Sequence, residues 1–486
     1  MYRKAILVFF AVLVAASAIF ALIDRKKLTT TSDKAYEAYL RGEEFQKKLY
    51  VLEAAQEYER AVQADPRFSM AYARLAWLYK DLGREDDYKQ AKARAFEFID
   101  KVTDFERIQI NLGFSRIELV NEDVEKYSRE LLDKYRDSIE SYIYLSGLYW
   151  GRGAIDSALE ANLRILEIDP QYALAYNMLG YIYYKKGEYD KALENINKYS
   201  TVAVDQANPH DSYGEILLWL GRYDEALRQF QIADSIKPNL DFVVYHMAET
   251  YGAKGMYRDA MGAYLKAREL ALSDNRRLEF GVGIAGSYIF SDRYEEAIEI
   301  LNEIVKKRND SIGPHLYLGV IHAWQGRMDD ALVELGIIKG ISARAGEEAS
   351  RDRFDKIQLY HDQIILEAEI ASARKEYDKA ISLYRGLLNE IQLPARTRIS
   401  QLLGDVYIKA GKADSAVFTI TEALEDNPNF PRCLKTLADA YKALGRAPDQ
   451  REALARLLSV YKDADEDFPP YILALAEMKR LDDAAL

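Results

Sequence analysis

The pattern of apolar and polar positions is clearest between Tyr142 and Tyr199. Tyr176, Leu179, Gly180 and Tyr183 stand at i, i+3, i+4 and i+7, the spacing of one helix face. The same spacing resumes after Gly187 in Tyr189, Ala192, Leu193 and Ile196. This predicts two helices folded into a hairpin. Gly187 suits the left-handed residue that ends the first helix, and the small Gly180 and Ala192 let the two backbones approach closely. A second copy lies 34 residues upstream, where Tyr142, Leu145, Ser146, Tyr149, Gly153 and Ala158 take the places of Tyr176, Leu179, Gly180, Tyr183, Gly187 and Ala192. Pro170 ends that copy's second helix and passes the chain to the next unit. A fixed period of this length predicts a solenoid of stacked hairpins.

The period runs through most of the chain. Ala158, Ala192, Ala226 and Ala260 are each 34 apart; Ala297 follows after 37 and Ala331 after another 34. Upstream, Tyr39, Gly42, Ala54, Tyr58 and Pro66 mark a first hairpin, and Tyr72, Leu75, Ala76, Tyr79 and Gly83 begin a second. A third, about residues 103–136, is placed by phase alone, since Val124 falls 34 residues before Ala158. Between Ala331 and Ala380 the interval is 49. The excess falls in the polar stretch 340–353, which predicts longer helices, a surface loop or a joint between two sub-arrays. Around Ala416 the pattern returns with Leu403, Gly404, Tyr407, Gly411 and Pro428, and Pro469-Pro470 opens a last helix suited to cap the array.

These residues resemble the tetratricopeptide repeat family. Leu179-Gly180, Tyr183, Gly187, Tyr189, Ala192 and Pro170 occupy that family's signature places, with Tyr142 and Tyr176 where a tryptophan is often found. The resemblance covers about residues 34–486 and implies an all-α, right-handed α-solenoid of about twelve hairpins. The expected order is a tail (1–4), a transmembrane signal-anchor helix (5–23), a linker (24–33), an array of about nine repeats (34–339), an insert or hinge (340–355), and about three repeats with a capping helix (356–486).

Residues 5–23 stand apart from the repeats, reading AILVFFAVLVAASAIFALI without a charge. At about 1.5 Å per helical residue this run nears the roughly 30 Å hydrocarbon core, which predicts a single span. Ala16-Ser17-Ala18 offers a signal-peptidase pattern, so a cleavable signal peptide competes, but the apolar run continues through Ile19, Phe20, Leu22 and Ile23. Basic residues flank both ends, Arg3 and Lys4 before and Arg25, Lys26 and Lys27 after. The short basic start favours an extracytoplasmic (periplasmic) array, with the cytoplasmic face as the alternative.

Composition narrows the function. A formal charge of −12 and no basic stripe argue against nucleic acid as a partner. The lone Cys433 rules out an internal disulfide framework and reads as a buried apolar residue. The five histidines, His210, His246, His315, His322 and His361, have no metal-ligand spacing, and His315 and His322 read as packing residues. Phosphate-loop, GxSxG and HExxH motifs are missing, so no enzyme activity, cofactor or metal is expected.

The resemblance places partner binding on a concave groove lined by the second, fifth, ninth, twelfth and thirteenth positions of each repeat. In the middle repeats these are Asn177, Tyr181 and Tyr184; Asp211, Glu215 and Trp219; Tyr245 and Glu249; and Trp324. Aromatics mixed with acids suit a peptide bearing basic residues, whereas the same tyrosines could simply pack helices, there being 36 in the chain. The Lys/Asn carboxylate clamp of some family members is not evident at these positions. The expected function is therefore a membrane-anchored scaffold for protein or peptide partners, in assembly or regulation of an envelope complex. The alternative is a sensory solenoid holding a glycan or small molecule in its aromatic groove.

Overall fold

The computed structural model describes residues 28–118, 120–136, 138–347 and 353–485. Among these it contains 25 α-helices, one short 3-10 turn at Ile99–Lys101, and no strand. The predicted span at 5–23 lies outside the described residues. No helix among the described residues is long and apolar enough to cross a membrane.

The helices pair in sequence. In the first unit, ending at Ile168, the pairs are α1 (Asp33–Lys47) with α2 (Val51–Ala64), α3 (Ser69–Asp81) with α4 (Glu85–Glu97), α5 (Asp104–Ile117) with α6 (Asn121–Lys134), and α7 (Ile139–Gly151) with α8 (Ile155–Ile168). The second unit, from Asp169 onward, begins with α9 (Ala173–Lys185), α10 (Tyr189–Val202), α11 (Asn208–Trp219), α12 (Tyr223–Ile236), α13 (Asp241–Ala253), α14 (Tyr257–Leu270), α15 (Asp274–Phe290) and α16 (Tyr294–Lys307). It continues with α17 (Ile312–Trp324), α18 (Met328–Glu347), α19 (Arg353–Ala373), α20 (Tyr377–Leu388), α21 (Ala395–Lys409), α22 (Ala413–Asp426), α23 (Pro431–Ala443), α24 (Ala447–Val460) and the unpaired α25 (Pro469–Ala485).

The same hairpin turn recurs among the described residues. At Gly187 (φ 73°) the Gly187 N–H reaches Tyr184 O at 2.9 Å and the Glu188 N–H reaches Tyr183 O at 2.9 Å, the paired bonds of a Schellman cap. Leu49, Asp292 and Lys375 take the left-handed position where the glycine is absent, at φ 61°, 57° and 63°. Lys375 repeats the bonding, with its N–H on Ser372 O and that of Glu376 on Ala371 O. The third hairpin, which lacks the repeat signature, is held at its start by a capping box between Thr103 and Glu106, and Val124 is buried in the alanine's place. The long interval before Ala380 is taken up by α18 and α19, which run to 20 and 21 residues.

Within the second unit the chain returns to itself after seven hairpins. The Tyr189 hydroxyl donates to Asp426, and Lys462 binds Asp224 at 2.7 Å, contacts 237 and 238 residues apart. Asn429 donates to Gly221 O at 3.0 Å, and the Asp465 N–H to Gly255 O at 3.1 Å. Lys254 is buried between Asp224 (2.6 Å) and Asp463 (2.7 Å), while Arg258 pairs with Asp467 at 2.8 Å. Phe468, fully buried, fills a niche over Gly255, where a Cβ would come within 2.8 Å of its ring, and it stacks on Phe290 at 5.9 Å. Hairpin tips of one turn thus rest on inter-repeat loops of the next.

Close helix approach sets a sharp test. A Cβ on Gly214 would lie 2.5 Å from the Phe230 ring, whereas one on Gly262 would meet nothing within 4 Å. Gly214→Ala is expected to cost about 1–3 kcal/mol through overpacking. Gly262→Ala should gain up to about 1 kcal/mol of helix propensity. Urea denaturation measures both; equal effects would refute the packing argument.

Candidate functional site

On α13, α15, α17, α19, α21 and α23, residues at the second, fifth, ninth, twelfth or thirteenth repeat positions line shared cavities, and α9 and α11 carry the same positions just before them. On α9, α11 and α13 these side chains are joined to one another. The Tyr181 hydroxyl donates to Glu215 at 2.5 Å, and the Trp219 ring packs on Tyr181 and Tyr184 at 5.7 and 5.0 Å. His246 Nδ1 meets Asp211 at 2.9 Å, and its Nε2 lies 3.8 Å from Glu215. Burial works against the His246 imidazolium, but the Asp211 carboxylate outweighs it, with help from Glu215 and Glu249, and pushes its pKa up to about 10. Burial also raises Glu215, and lifts Glu249 to about 7.

Beyond this cluster the inside opens into two adjoining cavities. The first, about 550 Å³, is lined by Tyr245, Glu249, Phe290, Trp324, Arg398 and Arg432 over an apolar floor of Val282, Leu316, Val320 and Ile365. The second, about 620 Å³, shares Phe290, Trp324, Glu369 and Arg432 with it and adds Lys375, Asp405, Lys409 and Asp439. The Trp324 indole N–H donates to the buried Glu369 at 2.6 Å, and the Tyr384 hydroxyl donates to the same carboxylate. Tyr245 stacks on Phe280 at 4.9 Å. Arg398 donates to the Tyr317 hydroxyl at 2.9 Å, and Arg432 lies over the Phe290 ring at 4.8 Å. Burial lowers the Arg432 pKa, and the nearby Arg398 charge lowers it further. Burial lifts Asp405 to about 6, against the hydrogen bond it accepts from Thr436 at 2.7 Å.

Of the sequence-predicted groove residues, Tyr245, Glu249 and Trp324 line the cavities. Tyr181, Glu215 and Trp219 belong to the bonded cluster beside them, with Tyr184 and Asp211 buried beneath at 1% and 4% exposure. Asn177 sits on the same face of α9, its amide oxygen enclosed without a hydrogen-bond partner among the described residues. The acids of this cluster are therefore engaged by His246 and Tyr181. Sequence reasoning missed Phe290, Glu369, Arg398 and Arg432. The signal was present: with Ala297, Ala380, Ala416 and Gln450 as repeat markers, they fall at the thirteenth, ninth, second and second positions.

Among the described residues no group of three or more His, Cys, Asp or Glu side chains is arranged to hold a metal ion. His315 is buried against Glu334 at 2.6 Å, and Cys433 is wholly buried, with burial raising its thiol pKa.

Residues 161–194 match the family model of the tetratricopeptide repeat. The photosystem I assembly protein Ycf3 of Synechococcus sp. (strain CC9605) is 29% identical over 84 residues, 17% of this chain; the match spans 45% of that protein, less than half its length. Among solved structures, the APC/C hetero-tetramer Cut9-Hcn1 aligns at a TM-score of 0.49 and 16% identity, over 84% of this chain and 76% of that chain. MamA aligns at 0.28 and 20% identity over 33% and 93% of the two chains. YrrB, a TPR protein with an unusual peptide-binding site, aligns at 0.28 and 19% over 38% and 95%.

The buried cluster gives a pH signature. His246 in the folded chain holds its proton to about pH 10, whereas an unfolded histidine releases it near 6.5. Its stabilising contribution is therefore complete below pH 6.5 and lost as pH rises towards 10. Thermal melts across this window should show a falling Tm, and His246→Gln should flatten that fall; parallel curves for the two proteins would contradict the assignment.

Proposed function

We propose that this chain, a tetratricopeptide-repeat protein, is a scaffold that receives a protein or peptide segment along the inside of its second unit. One observation carries the reading. The cavities are lined by the non-packing positions of successive first helices, so successive repeats present side chains to one continuous inner surface. Trp324, Tyr245 and Phe290 supply aromatic anchors there, and charged groups of both signs surround them.

The membrane anchor enters this proposal from the sequence alone. The uncharged run 5–23 supports a scaffold held at a membrane, with the array outside the cytoplasm, serving assembly or regulation of an envelope complex. A reporter active only outside the cytoplasm, fused after Leu486, tests that side directly: an inactive fusion would place the array on the cytoplasmic face.

A second reading is favoured by a different feature. The apolar floor of the first cavity, with Phe468 in its wall, has the size and lining of a small-molecule site.

The scaffold reading is tested by cross-linking and co-purification of the full chain from mild detergent. Trp324→Ala, which removes a ring common to both cavities, should lower partner recovery about tenfold or more. Trp324→Phe keeps the ring and should retain most of it. Undiminished recovery with Trp324→Ala, the fold being intact by circular dichroism, would sink the proposal.

A further inference from the structure

Arg398 and Arg432 stand out among the cavity-lining charges. They hold the second position of consecutive hairpins, 34 residues apart, on α21 and α23. Their contacts are aromatic: Arg398 has the Tyr317 hydroxyl and lies 5.3 Å from its ring centroid, while Arg432 covers Phe290. Among the described residues no carboxylate forms an ion pair with either, although Asp362 and Asp405 lie close enough to act on them through space. Elsewhere in this unit cations at contact points are paired, Lys254 with two aspartates and Arg258 with two more. The Arg398 charge lowers the Arg432 pKa, and neither guanidinium has its hydrogen-bonding fork taken up by a carboxylate, so each keeps donors for a bound anion.

The rest of the cavity restricts which anion fits. Leu316, Val320 and Ile365 give part of the lining an apolar surface, and the side-chain positions at Gly286 and Gly313 are open space. Glu249, Glu279 and Glu369 line the same space and would repel a dianion more strongly than a monoanion. At the arginines' end an alkyl ammonium would face two like charges, whereas a carboxylate there accepts hydrogen bonds from both.

We propose that the first cavity binds a monocarboxylate carried on an apolar chain, its carboxylate held by Arg398 and Arg432 and its chain lying over Leu316, Val320 and Ile365. This rests on the small-molecule reading of the cavity and is independent of the scaffold role. Phe290 and Trp324 flank the chain, and Phe468, packed against Phe290, closes one side.

The test uses the full chain in lipid nanodiscs, titrated with octanoate by calorimetry and followed through tryptophan fluorescence, since Trp324 borders the cavity. Octanoate should bind saturably at one site. Arg398→Gln and Arg432→Gln should each weaken it about tenfold, the worth of a charge-assisted bond. Octanol and octylammonium, with the same chain, should bind at least tenfold less well than octanoate. Octanoate binding that is unchanged in both variants, or matched by octanol, overturns the proposal. If no alkyl probe binds while a partner is still captured through Trp324, the carboxylate site is refuted and the scaffold reading stands. If octanol alone binds, the cavity is a neutral-ligand site and the role given to the arginines is wrong.

Discussion

Each hairpin depends on a steric allowance at one point of helix contact. The first helix offers a small residue at its eighth position, and the second presses a large side chain into the space: Ile196 on Gly180, Phe230 on Gly214, Ile420 on Gly404. The buried alanines Ala158, Ala192, Ala226 and Ala260 make the reciprocal allowance on the second helix. Hairpins packed in this way stack one after another through the second unit. Along that stack Asp224 comes within reach of Lys462, 238 residues on. The inner cavities follow from the same geometry, because residues spent on hairpin packing leave another stripe of each first helix facing inward.

The fold was largely legible because its unit is local. A single 34-residue word specifies helix, turn and helix, and both periodicity and turn chemistry can be read without knowing any distant contact. Where the word is misspelt, tertiary structure compensates: Lys375 and Asp292 adopt the left-handed turn that glycine fills elsewhere, and Val124 packs where alanine is usual. The 49-residue interval hid its meaning because polar residues suit a loop and a long solvent-facing helix equally well.

The site was legible only in part. The positional rule picks the inward face, but it does not say which inward residues will be consumed by their neighbours. Asp211 and Glu215 read as free acids in the sequence, yet His246, one repeat later, takes them up. Conversely, Arg398 and Arg432 look like ordinary surface charges until the coil places them beside Tyr317 and Phe290, residues more than 80 positions away. Such juxtapositions arise between repeats far apart in the chain, which no window of sequence contains.

The return of the chain onto itself changes what kind of mechanical object this unit is. A solenoid touching only its nearest neighbours stretches like a spring and frays from its last repeat. Here the buried Lys254, clasped by Asp224 and Asp463, and Phe468 seated over Gly255 tie the final coil to a hairpin turn more than 200 residues earlier. Extension must first break those rivets, so the unit resists pulling until they give, and its inner width is fixed against thermal breathing. Anything admitted to the interior has to enter a vessel of set calibre.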